Sequence, residues 1–374
     1  MKRKQVVKRI ASMLLALATL GRRRSPQPAN IRRVLVVQLG LLGDVLLITP
    51  MLRALRAGLP SDARITVMVP PGSVSALRNN PDVHELLAYD AFWADPRDNH
   101  RHRLSWRHIR HTWRFVREQR AQAYDLIINC WIMDQPMTWL VLSFMDARYR
   151  LGFDFPFSRR YCDAVIPFRA DAHVADNVMA LAAGVVDTSA PHSLQFFAAH
   201  ESGVRMATPY IVVSPFSSES AKEWSVQSWA AVLSTVAREH PNMEFVLTGL
   251  ADARARADEL MAVGMAPMCN VVGELTLDQF AQVLQHATAV VTAESGTAHL
   301  ASALGTPTFV MYSRMYNFRQ FVPYRVPHAY SAIDVPCAEC IHGCEAMRCM
   351  QHDPTHVARD ITRFLSTLAT SPVS

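Results

Sequence analysis

The chain has 374 residues, of which 50% are apolar and 19% charged; that length and balance suit two globular domains and exclude a disordered or fibrous chain. Its formal net charge is +6, but ten of the 38 Lys and Arg lie in residues 1–33, where no Asp or Glu occurs, leaving 28 against 32 acidic residues elsewhere. The folded body is therefore slightly acidic, which argues against a nucleic-acid-binding surface lined by basic side chains.

Residues 1–30 form a basic and apolar N-terminal arm. Its apolar run, residues 10–20, lies between basic blocks and is too short to span roughly 30 Å of hydrocarbon as a helix. Three readings are open. A signal peptide would cleave after Ala16-Leu17-Ala18, with only a short apolar segment before it and arginines directly after. A disordered tail is the second. The third is an in-plane amphipathic helix, with Val6, Ile10, Leu14, Leu17 and Leu20 at helical spacing and Lys4, Lys8 and Arg9 turned to anionic headgroups. The spacing favours this last reading, which sets residues 1–24 on an anionic membrane surface.

Residues 31–190 read as a first α/β domain. The β-branched run at 34–37 is too short for a helix and predicts a buried parallel strand. Gly40 and Gly43 then make a tight loop, Asp44 follows, and a helical stripe runs through Val45, Ile48, Leu52 and Leu55. Further strands are predicted at 64–69 and 125–129. Residues 92–120 carry many Arg, His and Trp, either a solvated helix face or a surface for a phosphorylated, acidic acceptor. Residues 191–207 form the linker. The pattern restarts over 208–350, with strands at 210–213, 244–249, 289–292 and 308–311 and a helix through Trp229, Val232 and Leu233. Residues 351–374 hold a last helix, expected to return towards the first domain. Strand, helix, strand at these lengths defines doubly wound sheets. Two such Rossmann-like halves would face a central cleft lined by the carboxyl ends of their strands, where ligands of open α/β sheets bind.

Three stretches carry candidate chemistry. The loop with Gly40 and Gly43 is neither a dinucleotide fingerprint nor a Walker A loop. Asp44 after it either caps its helix or projects as a general base. Residues 214–224 (SPFSSESAKEW) place hydroxyls, backbone amides and Lys222 just after a strand, as a diphosphate requires; a Ser-rich surface loop is the other reading. In residues 294–299 (ESGTAH) small residues let the backbone approach a ligand at a helix start, Glu294 is suited to sugar hydroxyls, and His299 is either functional or a packed core histidine.

The three stretches occur in the order seen in glycosyltransferase family 9, the ADP-heptose:lipopolysaccharide heptosyltransferases, and the resemblance covers roughly residues 31–365. VLVVQLGLLGDVLLITPMLRALR resembles the family's opening strand, loop and helix, KEWSVQSWAAV its Lys-x-Trp-(x)4-Trp stretch, and AESGTAHLASALGTPTFVMY its Asp-Ser/Thr-Gly-x-x-His block. The resemblance implies a GT-B fold and an inverting, metal-independent transfer of heptose or a related sugar from a nucleoside diphosphate, ADP-heptose first, to a lipopolysaccharide-core or other cell-surface glycan. It implies that Asp44 is the general base and that Ser217, Ser218 and Lys222 hold the donor diphosphate. Ser295, Gly296 and Thr297 then belong to the donor turn, Leu275 contacts the nucleobase, and Asp252 stands near the slot for the ribose. The implied partners are a nucleotide sugar and a lipid-linked oligosaccharide at the inner face of the bacterial cytoplasmic membrane, with no cofactor. Glu294 replaces the family's usual Asp and Ser313 its usual Gly, which keeps two alternatives open: a GT-B transferase with a different NDP-hexose donor, and a non-catalytic membrane-docked relative.

The cysteines Cys130, Cys162 and Cys269 stand in isolation and are expected reduced in the interior. Cys337, Cys340, Cys344 and Cys349 cluster at a spacing that could hold tetrahedral Zn²⁺. Similar stretches in family relatives carry no metal role, so packing or a disulfide is preferred to a metal.

Overall fold

The computed structural model describes residues 27–91, 93, 106–199, 209–264, 266–314, 316–336 and 347–370. The arm up to residue 26, linker residues 200–207 and Cys337, Cys340 and Cys344 lie outside the described residues. The chain divides into two compact units, Met1–His192 and Ser193–Ser374.

The first unit is built on six strands: β1 Arg33–Val37, β2 Arg64–Val69, β3 Glu85–Ala88, β4 Tyr124–Asn129, β5 Ala147–Phe153 and β6 Ala164–Ile166. They form one sheet in the order β3-β2-β1-β4-β5-β6, and each neighbouring pair is parallel. The second unit repeats the plan with β7 Tyr210–Ser214, β8 Glu244–Leu247, β9 Met268–Asn270, β10 Ala289–Ala293, β11 Thr308–Tyr312 and β12 His328–Ala332. Its order, β9-β8-β7-β10-β11-β12, is the first sheet's order, and again all pairs are parallel. This is the doubly wound order, in which the sheet reverses direction between its first and fourth strands. The central strands are buried on both faces, which is why they are continuous apolar runs rather than alternating ones.

The stripe from Val45 to Leu55 is not one helix, as its periodicity suggests, but two: α1 Leu42–Leu46 and α2 Thr49–Gly58. Pro50 has no N–H to give the Leu46 carbonyl four residues back, and Thr49 Oγ1 donates to that carbonyl instead at 2.7 Å. Along the chain follow α3 Trp106–Arg120, α4 Pro136–Ser143, α5 Ser158–Tyr161, α6 Val174–Ala183, α7 Val226–Glu239, α8 Arg254–Val263, α9 Leu277–Gln285, α10 Gly296–Leu304 and α11 Pro354–Thr370. In the second unit α11 packs beside α7 and β12, adding Val357, Ala358, Ile361, Phe364 and Leu365 to the core around Trp229, Phe245 and Phe309. Cys130 is fully buried, but Cys269 is exposed. It sits on β9, the edge strand, where one side of the chain faces water, so the expectation of an interior Cys269 fails.

Candidate functional site

In the first unit the chain leaves β1 at its buried carboxyl end and turns through Gln38, Leu39, Gly40 and Leu41 into α1. Gln38 is buried and clamps the turn: its Oε1 accepts from the Gly40 amide at 3.1 Å, and its Nε2 donates to the Asp44 carbonyl at 3.3 Å. Ser73 Oγ holds the Gly40 carbonyl at 3.2 Å. The half-buried Asp44 carboxylate folds back so that Oδ2 accepts from the Leu41 amide at 2.9 Å. The capping role is therefore present, and it places the carboxylate at the switch between β1 and β4.

Gly40 leaves the room this requires. A Cβ there would lie 2.5 Å from both Cβ and Oδ2 of Asp44, closer than any side chain tolerates. Gly40→Ala is expected to destabilise the chain by about 1–3 kcal/mol and to displace Asp44, lowering turnover in parallel. Gly72, with nothing within 4 Å of a built Cβ, is the control, and thermal melts of the two alanine variants check the difference.

In the second unit the expected donor residues gather at the carboxyl edge of the sheet. Ser217, Ser218 and Lys222 follow β7, Asp252 follows β8, Leu275 follows β9, and Glu294 to Thr297 follow β10. Because β7 and β10 are neighbours with parallel register, the loops after them start side by side at the switch point. Ser214 Oγ and Thr297 Oγ1 meet at 3.1 Å, and Thr292 Oγ1 donates to the Ser214 carbonyl at 3.0 Å. Ser295 caps α10 by accepting the Thr297 amide at 3.3 Å.

Lys222 lies at the centre of this edge. Its Nζ is 3.3 Å from Oε1 of Glu219 and 3.3 Å from Oε1 of Glu294, with side chains of 12%, 23% and 12% exposure respectively, and 4.9 Å above the Tyr316 ring. Burial pulls the ammonium towards its neutral form, but the carboxylates of Glu294 and Glu219 outweigh it, and the lysine pKa is raised. Glu294 is held from its other oxygen: the amide and hydroxyl of buried Ser313 donate to Oε2 at 3.2 and 2.9 Å. Glu294 and Ser313, both marked in the sequence as departures from the resembled pattern, are thus in contact. The loop below Lys222 is braced by Glu223, which accepts from the Ser217 amide at 3.1 Å and pairs with Arg256.

Ser218 is exposed on the loop tip and Asp252 on the turn after β8. Gly273, two residues before Leu275, has φ +77°, and a Cβ on it would come within 2.8 Å of the Ala251 backbone. The turns at 249–252 and 273–275 therefore close on each other only because a glycine stands there. His299 packs edge-on against Phe321 with ring centres 6.4 Å apart. Among the described residues no group of three or more His, Cys, Asp or Glu is arranged to hold a metal ion. Sequence reasoning did not single out Tyr316 or Glu219 as neighbours of Lys222. Glu219, three residues before the lysine across a short turn, carried a local signal for an ion pair; Tyr316, in the loop after β11, carried none.

The Glu294–Ser313 contact can be measured. In a double-mutant cycle with Glu294→Ala and Ser313→Ala, urea unfolding should show a coupling of about 1.5–3 kcal/mol, the contribution of a hydrogen bond to a charged group. Additive losses would mean that the serine hydroxyl does not position the carboxylate.

Twin parallel sheets of doubly wound order, one in each unit, are the architecture of the GT-B class of glycosyltransferases. The chain belongs to glycosyltransferase family 9 (heptosyltransferase), whose model matches residues 112–350. It is 24% identical over 291 residues to lipopolysaccharide heptosyltransferase 3 of Escherichia coli, covering 72% of this chain and 80% of that protein. Its fold is similar to that of the family 9 glycosyl transferase of Veillonella parvula, at 19% identity and a TM-score of 0.73 over 92% of this chain and 100% of the other. It is also similar to E. coli ADP-heptose lps heptosyltransferase II, at 19% identity and 0.67 over 90% and 100%.

Proposed function

We propose that this glycosyltransferase moves heptose from ADP-heptose to a lipopolysaccharide-core acceptor with inversion at the anomeric carbon. The observation that carries the reading is Lys222, half-buried and charged at the β7–β10 switch point between Glu219 and Glu294. In the reaction an acceptor hydroxyl oxygen bonds to the anomeric carbon as the bond to the diphosphate oxygen breaks, and ADP departs with the bonding pair. Asp44 takes the hydroxyl proton. Lys222, with Ser217 and Ser218, meets the charge that develops on the diphosphate, a site-preorganised electrostatic contribution. Glu294 accepts from the donor sugar's hydroxyls, and Asp252 and the backbone at Leu275 flank the nucleoside.

A heptosyltransferase from E. coli named for ADP-heptose shares the fold, and a named lipopolysaccharide heptosyltransferase shares sequence over most of both chains. Both support the donor and the acceptor class. An NDP-hexose donor is the second reading, favoured by Glu294: its extra methylene and its Ser313 clasp change the reach of the sugar-binding carboxylate. On this reading the reaction runs at the inner face of the cytoplasmic membrane, where the family resemblance sets the lipid-linked acceptor; among the described residues no helix is long and apolar enough to cross a membrane.

The test is nucleotide release across ADP-heptose, ADP-hexose and UDP-hexose donors with heptose-deficient core lipopolysaccharide as acceptor, and NMR of the product's anomeric proton. Release confined to ADP-heptose with inverted configuration is the expected result. Release from a hexose donor alone selects the second reading, and donor binding without release from any of them defeats both.

A further inference from the structure

Helix α3 displays apolar and cationic side chains on the face that the other described residues of its unit leave uncovered. Its inner face is anchored. Phe115 and Val116 pack on the first core, Phe115 stacks on Tyr89 at 4.3 Å, Thr112 meets the Tyr89 hydroxyl at 3.0 Å, and Gln119 accepts from the Tyr124 hydroxyl at 2.6 Å. The outermost line therefore falls on Trp106, Arg110, Trp113 and Arg117, at i, i+4, i+7 and i+11. Trp106 is 84% and Trp113 66% exposed, with Ile109 beside them at 39%. Arg117 lies over the Trp113 ring at 5.9 Å. Arg110, Arg114, Arg117 and Arg120 are all exposed on this helix, against one acid, Glu118, which pairs with Arg114 at 2.9 Å.

We propose that this face of α3 docks on an anionic phospholipid bilayer. Two observations select that occupant. The first is charge: outside the arm the chain is net acidic, yet this helix is a local block of arginine, the complement of a phosphate-bearing surface. The second is the pattern. Tryptophan and arginine alternate along one line about 16 Å long, with no continuous aliphatic seam for a partner helix, and a dry protein interface would bury arginines without partners. At a bilayer surface both residue types are satisfied at the same depth. Indole rings sit at headgroup level, and guanidinium groups reach the phosphates. The anchored inner face makes α3 a fixed platform, so docking requires no rearrangement of the fold. In sequence this surface lies outside the N-terminal arm, and it does not depend on which sugar is transferred.

The placement of the tryptophans supplies a selective readout. Of the seven, Trp131, Trp139 and Trp229 are buried and Trp93 and Trp224 half-buried, and residues 1–33 contain none. Quenching of indole emission by vesicles with brominated acyl chains therefore reports on α3 and is silent to the arm. The full-length chain is mixed with brominated phosphatidylcholine vesicles with and without phosphatidylglycerol. Emission should be quenched by the anionic vesicles and lost as a quenchable fraction in W106F/W113F, whose far-UV spectrum and melting should match the parent because both side chains point into solvent. In R110Q/R117Q/R120Q the partition coefficient should fall roughly a hundredfold, about fivefold per arginine. Co-sedimentation without quenching would assign binding to the arm alone and overturn the proposal. So would quenching that survives unchanged in W106F/W113F, or equal binding of the arginine variant.

Discussion

Lys222→Met is expected to lower turnover by about 10²–10³-fold, the cost of removing one preorganised group that meets charge developing in a transition state. The geometry explains the size. The ammonium is nearly enclosed, 3.3 Å from each of two carboxylate oxygens and in contact with the Tyr316 ring, so no mobile water or counter-ion takes its place when the side chain is made neutral. Lys222→Arg should not restore activity: a planar fork needs more room than a slot with 12% exposure gives, and it would meet the diphosphate from different positions. The substitution also leaves Glu219 and Glu294 facing each other without their cation. A loss of stability on the order of 1–3 kcal/mol follows, less than breaking a fully buried pair costs because the cluster is partly exposed and Glu294 keeps its bonds from Ser313. The lysine's raised pKa fixes the pH window. Its contribution is complete below the ordinary lysine value of 10.5 and is lost only as pH climbs past the raised value. The difference in melting temperature between parent and Lys222→Met should therefore hold on the alkaline side of neutrality up to that value. Turnover by ADP release and donor affinity by calorimetry check the rest, and a variant within threefold of the parent would remove Lys222 from the diphosphate.

The strands legible in the sequence were those buried on both faces. VLVV in β1, LIIN in β4, IVVS in β7 and TFVMY in β11 are apolar runs because helices cover the sheet above and below them. The edge strands β3, β6, β9 and β12 were not legible: they are short and partly exposed, and ELLA or MCN has no pattern that separates strand from loop. β5 hid for a different reason. Its Arg150 breaks the run ARYRLGF, but the guanidinium is buried and donates to the Met145 carbonyl at 2.7 Å, a satisfaction supplied from outside the strand. For the site, the residues after β1, β7 and β10 could be named from loop chemistry. Their mutual contacts could not, because Lys222, Glu294, Ser313 and Tyr316 meet only through the sheet order β7-β10-β11, in which distant segments become neighbours. The same order shows why Glu294 and Ser313 belong together: β10 and β11 are adjacent and parallel, so their carboxyl-end loops leave side by side.

Asp44 is the residue for which sequence left two roles open, and the structure supports an experiment that separates them. The carboxylate caps the turn through Oδ2 to the Leu41 amide at 2.9 Å. Asparagine keeps an oxygen that can accept the same hydrogen bond but cannot take a proton at neutral pH. Asp44→Asn should therefore hold the parent's melting temperature to within a few degrees while turnover falls about 10²–10⁴-fold, the range for a general base. Asp44→Ala removes cap and base together and should add a loss of about 1 kcal/mol in stability. Donor affinity should be unchanged in both, because the groups assigned to the donor all belong to the second unit, whereas loss of Lys222 should weaken it. A capping role without base chemistry predicts the reverse: asparagine with near-normal turnover, and alanine impaired only in proportion to its lost stability. Measuring kcat, donor affinity and melting for the two variants on one preparation distinguishes the cases, since only proton acceptance makes asparagine stable and inactive at once.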